Sequence, residues 1–346
     1  MAEILFLAVL VLIPGLMFLW GFRRLPDENW QMMATVPVRK TENGWQGVNL
    51  LWYGFFIATS TVFGMAVVYV LLRSLKVPVL SIMIASASLI ALCLPAAAIA
   101  ARIIEGKRHT FTVGGASFIG IILAPWIFLA INSFEPVKFN VPVMAVLAAM
   151  SIGYAFGEGM GRLACISFGC CYGKPLKECS APLRKLFSRF HFVFHGDTKK
   201  IAYAQGLDGH QIIPVQAVTA IVLSITGITG TIIFLSGAFT LSFILTVCTA
   251  QIWRMLSEFL RADFRGHHKF SVYQVMAIIA AASSFAVSHF LISYPVPVDI
   301  SSGLISLWNP GVIIFFQAVW LASFLYTGRS SVTASYIHFH VMKDRV

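Results

Sequence analysis

Residues 141–165 read VPVMAVLAAMSIGYAFGEGMGRLAC, and among these 25 positions only Glu158 and Arg162 carry charge. About 20 mostly apolar residues let a helix cross a bilayer, so the run is long enough to span. An ionisable side chain inside such a span costs several kcal/mol unless it is paired, and marks a functional position by default. Glu158 and Arg162 stand four apart, so on a helix they share a face and can pair. Gly153, Gly157 and Gly161 repeat at the same interval. Such a row lets a second helix or a lipid headgroup approach the backbone closely. The plainer alternative is a self-satisfied ion pair beside a packing face.

Outward from this run the same pattern recurs. Ile4–Trp20, Val48–Leu72, Val79–Ala101 and Phe111–Phe134 precede it, and Ile212–Leu235, Phe239–Leu260, Val272–Ile292 and Leu304–Tyr326 follow. With Val141–Cys165 that makes nine candidate helices, the pair around Ser236-Gly237 being the least sharply divided. Composition agrees: 58% of the 346 residues are hydrophobic and 11% charged, against roughly 45–50% and 25% in a soluble domain. The mean hydropathy of +0.82 excludes a soluble globule, and six Cys without a Gly-X-Y period exclude a disulfide scaffold or collagen. Backbone groups in lipid must bond internally, and barrel-type alternation is absent. The expected fold is all-α, a polytopic transmembrane bundle of eight or nine spans. Met1-Ala2-Glu3 lacks a positive n-region, so the first run reads as a retained helix rather than a secretion signal.

The net charge of +11 comes from 25 Lys and Arg against 14 Asp and Glu. No basic stripe with interleaved aromatics supports a nucleic-acid partner, so the expected partner is the membrane and its anionic headgroups. Segments 21–47, 102–110, 166–211, 261–271 and 327–346 hold 20 of these cations, and the alternate segments hold 3. The positive-inside rule places the first set in the cytoplasm and the N-terminus outside.

A second charged cluster runs through Arg254, Glu258, Arg261 and Arg265 at steps of four, three and four. Read as one helical face, it sets three guanidiniums around one carboxylate. That face suits a phosphate, because Arg presents a planar fork that stays charged. The alternative is a membrane-edge stripe whose outer arginines snorkel, which accounts for Arg254 poorly. Between the clusters lie Cys165, Cys170, Cys171 and Cys179, followed by His191 and His195. The spacing is not a paired C-x-x-C ribbon and adjacent Cys170-Cys171 is awkward for chelation, so neither a metal nor a cofactor is expected. A redox or thiolate role beside basic residues and a packed re-entrant turn are the other readings. Trp52-Tyr53-Gly54 combines a belt position with a phenol available to a ligand. Gly114-Gly115-Ala116-Ser117 opens one span and Pro214-Val215-Gln216 another; His267-His268 reads as a solvated loop pair.

Taken in order, these pieces resemble the prolipoprotein diacylglyceryl transferase family from about Trp52 to Gln274. Gly161-Arg162-Leu163 through Tyr172-Gly173 is similar to its signature, and Arg254-x-x-x-Glu258-Phe259-x-Arg261 to its Arg-x-x-x-Glu-Phe-x-Arg pattern. Ser271 and Gln274, Trp52-Tyr53-Gly54 and Pro214-Val215-Gln216 resemble further family segments. The resemblance implies a seven-helix core in a bacterial cytoplasmic (inner) membrane. It divides the chain into an added helix and linker at 1–47, a transferase-like core at 48–293 and an added helix and basic tail at 294–346. It implies transfer of a diacylglyceryl group from phosphatidylglycerol, or another anionic phospholipid, to the Cys thiol of a lipobox-containing preprolipoprotein. Arg162, Arg254, Glu258 and Tyr53 are then catalytic candidates, with Gly161, Arg261, Tyr172, Gly173, Gln216 and Glu158 contacting substrate. The chain departs from the pattern at Ile119, where the family has His, at Cys165 and Cys170 for Asn and Glu, and at Ile213 and Thr219 for His and Glu. Glu258 could act as base or orient Arg254 and Arg261, and with the His absent a base elsewhere, such as His109 or Glu158, would have to substitute. The family orients its signature loop to the periplasm, opposite to the side given by the charge count. A lipid transporter and a non-catalytic lipid-binding scaffold are the rival classes.

Overall fold

The computed structural model describes residues 1–105, 113–263 and 270–346. Nine helices among the described residues are long and apolar enough to cross a membrane. These are α1 (Ala2–Arg24), α2 (Trp52–Ser74), α3 (Val79–Glu105), α4 (Val113–Asn132) and α5 (Val143–Phe168), then α8 (Val215–Leu235), α9 (Phe239–Ser257), α10 (Val272–Phe290) and α12 (Pro310–Thr327). Three short helices complete the set: α6 (Ala181–Phe187), α7 (Lys200–Gln205) and α11 (Ile300–Ser306). The expected bundle is therefore present, and Gly237 (φ +82°) turns the chain between α8 and α9.

Helix α5 is the most deeply buried of the spans and packs against α2, α8 and α9. Its glycines explain how. A Cβ on Gly153 would strike the Gly64 carbonyl and Val68 of α2, while one on Gly159 would lie 3.2 Å from the Ala220 carbonyl of α8. The α2–α5 crossing is thus a backbone-to-backbone contact that side chains would wedge apart. The hairpin of α3 and α4 packs mainly on itself and only lightly on α2 and α5, which leaves room between them.

Among the span boundaries that differ from the sequence reading, two change the architecture. Val48–Leu51 belongs not to a helix but to strand β2 (Gly44–Leu51), the middle of a three-stranded sheet with β1 (Met32–Thr41) and β5 (Arg329–Ile337). The last span starts at Pro310 rather than Leu304. A residue before Pro avoids helical backbone, and the Asn309 side chain caps the new helix at the Gly311 N–H, 2.9 Å away, leaving α11 separate. The sheet also settles the parity of the bundle. It joins the linker after α1 to the tail after α12, so an even number of spans must lie between, and among the described residues there are eight.

The polar segment after α5 folds onto the same face. Strands β3 (Phe192–Val193) and β4 (Gln211–Ile212) pair, and Gln31 and Thr198 exchange hydrogen bonds of 2.7 and 2.9 Å. Lys199, fully buried, donates to the Leu25 carbonyl at 2.9 Å and the Ser167 carbonyl at 2.6 Å. One amine thereby ties α1, α5 and the loop together. Burial pulls its pKa down from 10.5 to about 7, against the opposing pull of Asp27 and Glu28.

Because the folded protein holds this amine less protonated than the unfolded chain does, stability rises with pH between the two pKa values and is flat below the lower one. Thermal unfolding in detergent should show a midpoint rising from about pH 7 to about pH 9. Lys199→Met should lower the midpoint, by orphaning two carbonyls, and should flatten that rise.

Candidate functional site

Arg162 lies in the last two turns of α5 and Arg254 in the last turn of α9, so both reach the face that carries the sheet and loop. Glu158 stands between them. Arg162 Nη2 donates to Glu158 Oε1 and Arg254 Nη2 to Glu158 Oε2. Side-chain exposures of 6% for Glu158, 9% for Arg162 and 12% for Arg254 leave little water to screen the trio. One carboxylate shared by two guanidiniums leaves a net charge of +1. The Nε of each arginine is buried with no hydrogen-bond partner, so each holds an N–H in reserve. A buried donor left unmatched costs about 1–3 kcal/mol, and an anion between the arginines would relieve both.

Tyr154, one turn before Glu158, steadies the trio: its hydroxyl accepts from Arg254 Nη2 at 3.2 Å and Gln251 Nε2 at 3.3 Å. The sequence reading passed over Tyr154, although its i,i+4 spacing to Glu158 was a signal.

The second charged cluster is rearranged relative to the expectation of one helical face. Helix α9 ends at Ser257 and a single 3₁₀ turn follows, so Arg261 adopts extended backbone instead (φ −87°, ψ 149°). Its guanidinium grips Asp263 with two bonds of 2.7 and 2.8 Å and lies 3.7 Å from Glu258. Those carboxylates hold it charged, above its ordinary range, against the opposing effect of burial. Glu258 also accepts from Ser271 Oγ at 3.2 Å. Ser271 and Gln274 form a capping box at the start of α10, and Gln274 Nε2 returns to the Met255 carbonyl at 3.1 Å. Arg254 thus takes its carboxylate from α5, while Glu258 serves Arg261. Arg265, His109, His267 and His268 lie outside the described residues.

Two openings meet at the trio. The larger is a cavity of about 460 Å³, half-open and mostly apolar, walled by α2, α3, α4, α5 and α9. Tyr53, Gly161, Cys165, Tyr154, Glu158 and Arg162 form its polar part, and Tyr53 packs edge-on against Phe168, ring centroids 5.6 Å apart. Ala116, Ser117, Gly120 and Ile121 line it, but Ile119 does not. The smaller is a narrow polar cleft lined by Arg162, Arg254, Arg261, Glu158, Glu258, Gln216 and Cys171. Gln216 donates to the Cys170 carbonyl at 2.9 Å, and its own carbonyl oxygen is buried without a partner.

Tyr172 and Gly173 line neither opening. The Tyr172 carbonyl accepts from the Ala262 N–H at 3.1 Å, and Gly173 bridges to Arg261. A Cβ on Gly173 would collide with the Ile213 carbonyl, so both residues position Arg261 through backbone contact. An amphiphile with a monoanionic head and apolar tails matches the shape and charge of the assembly. Residues 44–290 match the sequence model of the family described as prolipoprotein diacylglyceryl transferase. No curated protein matches the chain.

Removing the shared carboxylate strands two cations, and breaking a buried pair in this way costs about 3–5 kcal/mol. Glu158→Ala should therefore lower stability by about that amount in detergent unfolding, while Glu258→Ala, which leaves Arg261 its two bonds to Asp263, should cost less than half as much.

Proposed function

Since the chain belongs to the prolipoprotein diacylglyceryl transferase family, we propose that it moves a diacylglyceryl group from phosphatidylglycerol, or a closely related anionic phospholipid, to a cysteine thiol. One observation carries this reading. The net +1 trio of Arg162, Glu158 and Arg254, with its two unmatched N–H groups, sits where the apolar cavity meets the polar cleft. A phosphodiester carries a single negative charge, so it matches the trio, and its acyl chains match the apolar walls. The weak packing of the α3–α4 hairpin on α2 and α5 supports sideways admission of lipid from the bilayer.

In the reaction the acceptor sulfur attacks the glyceryl carbon attached to the phosphate oxygen. As that C–O bond breaks, negative charge gathers on the departing glycerol phosphate. Fixed donors aimed at developing charge are the strongest catalytic device a buried site has, and Arg162 and Arg254 are two such donors. Glu158 holds them parallel to one another's task and unable to swing away. Tyr53 stands at the cavity wall as a hydroxyl donor, and Gly161 keeps that wall thin. Arg261, held by Asp263 and Glu258, closes the cleft, and Gln216 orients the turn at Cys170. We assign α2–α10 as the catalytic core, with α1 and residues 294–346 as additions to it. The match over residues 44–290 supports that division.

The acceptor distinguishes two readings. A lipobox-containing preprolipoprotein at the bacterial inner membrane is the family's acceptor. The cleft, however, lies at the ends of α5 and α9 on the sheet-bearing side, where segments 21–47, 166–211 and 327–346 hold 14 Lys and Arg, which favours a second reading with a cytoplasmic thiol acceptor. Reporters fused after Val346 separate them: active alkaline phosphatase selects the exported lipoprotein, and fluorescent green reporter selects the cytoplasmic acceptor.

Purified protein given phosphatidylglycerol and a lipobox peptide should add one diacylglyceryl mass to the peptide cysteine, read by mass spectrometry. Arg162→Ala and Arg254→Ala should each lower the rate by at least about a hundredfold. Intact lipid and unmodified peptide with the parent protein would overturn the transferase reading.

A further inference from the structure

Three sulfurs converge beside the trio without a part in the chemistry above. Cys165 is on the last turn of α5, and the helix ends on Gly169 in left-handed backbone (φ +70°). The Cys170 N–H then turns back to the Cys165 carbonyl at 2.9 Å, and Cys171 adopts φ +57°, a conformation few residues other than glycine take up. The outcome is that the Sγ atoms of Cys165, Cys170 and Cys171 all lie within 4.8 Å of one another. Cys165 and Cys170 are each 8% exposed, and no disulfide joins the described cysteines. Their linear spacing argues against chelation; the left-handed turn reverses that argument by bringing adjacent Cys170 and Cys171 round to the same side as Cys165.

We propose that Cys165, Cys170 and Cys171 form a three-thiolate zinc site whose open fourth position receives the acceptor thiol. Zinc takes sulfur ligands at about 2.3 Å in tetrahedral geometry, which sets sulfurs about 3.8 Å apart, so closure from the observed cluster requires a contraction of no more than about 1 Å. Structural zinc sites fill four protein positions, whereas catalytic sites use three and leave one open. Among the described residues, three ligand-bearing side chains are gathered here. Cys165 lines the cavity and Cys171 the cleft, so the metal would stand at the junction that substrate must reach. Arg162, three residues before Cys165 on α5, and Lys200, within electrostatic range of Cys170 and Cys171, offset the thiolate charge.

The site also supplies a means of deprotonating a thiol that the other described side chains of the two openings do not offer. Glu158 is engaged by two arginines, Glu258 contacts Arg261 and Ser271, and no described histidine lines either opening. A zinc-coordinated thiol is deprotonated by the metal itself. This inference rests on the transferase reading for its role, and its chemistry balances: the bound thiol gives up its proton and its sulfur bonds to the glyceryl carbon. The C–O bond breaks, and the leaving phosphate keeps the electron pair and takes up the proton as glycerol phosphate.

The test is metal content and spectroscopy on the full chain in detergent. After loading with zinc and desalting, elemental analysis should find one zinc per chain, and X-ray absorption should find sulfur ligands at about 2.3 Å. Cys165→Ser, Cys170→Ser and Cys171→Ser should each weaken zinc binding by roughly a hundredfold or more, whereas Cys93→Ser and Arg254→Ala should leave it unchanged. With cobalt in place of zinc, a lipobox peptide should shift the visible bands and the same peptide with Ser for Cys should not. Failure to retain zinc, retention indifferent to the three substitutions, a Cys165–Cys170 disulfide in the purified protein, or cobalt bands blind to the thiol peptide would each overturn the proposal. Zinc and thiol binding without lipid transfer would leave the site standing and remove the transferase reading instead.

Discussion

The pair of arginines at the centre of this bundle depends on one carboxylate. Glu158 accepts from Arg162 of its own helix and from Arg254, 96 residues away on α9. Neither arginine is affordable alone at a depth where water is scarce, and the carboxylate would be no better off alone. Held together they are tolerated, and the arithmetic of two cations to one anion leaves a single positive charge with two donors unspent. That residue of charge is what a phosphodiester could use. A fully neutralised network would have been more stable and chemically inert.

The scaffold delivers that trio by close approach of backbones. Glycines at 64 and 153 bring α2 against α5, and Gly159 brings α8 to its other side, so α5 is buried around nearly its whole circumference. Against this rigid core the α3–α4 hairpin is loosely applied, and the cavity lies in the space it leaves. Tight packing around the charged trio and loose packing beside the cavity thus come from different pairs of helices. On the same face, Lys199 and the Gln31–Thr198 pair bind the first helix and the long loop to the end of α5. The loop is thereby a fixed wall beside the site.

Which side each loop faces depends on how many helices precede it. Charge counting needs the correct span number, because one helix more or fewer inverts the assignment of every later segment. The β1–β2–β5 sheet removes that weakness by tying both ends of the span series to one face. Segments 21–47 and 327–346 are therefore on a common side, and the Gln31–Thr198 pair adds the loop after α5 to it.

Much of this was legible in the residues alone. Nine apolar runs, the i,i+4 pair of Glu158 and Arg162, and the embedded Arg254 follow from local composition and helical periodicity, because lipid imposes the same rule on every turn of every span. What was not legible lies at long range or at chain reversals. The sheet was hidden because β1 carries Pro37, Arg39 and Lys40 and reads as a polar linker, and the pairing of β2 with a tail some 280 residues away leaves no local trace: Asn49 bonds Thr333 across 284 positions. Arg254 looked like the partner of Glu258, its neighbour at i+4; helix α9 stops at Ser257, and the carboxylate it finds belongs to another helix. The three cysteines looked badly spaced for a common ligand until two left-handed residues, Gly169 and Cys171, folded them together. By itself the sequence determined which residues must be in the membrane and which charges must be satisfied there, because burial cost is a local property. Only the tertiary structure decided who satisfies whom, because that depends on which backbones can touch.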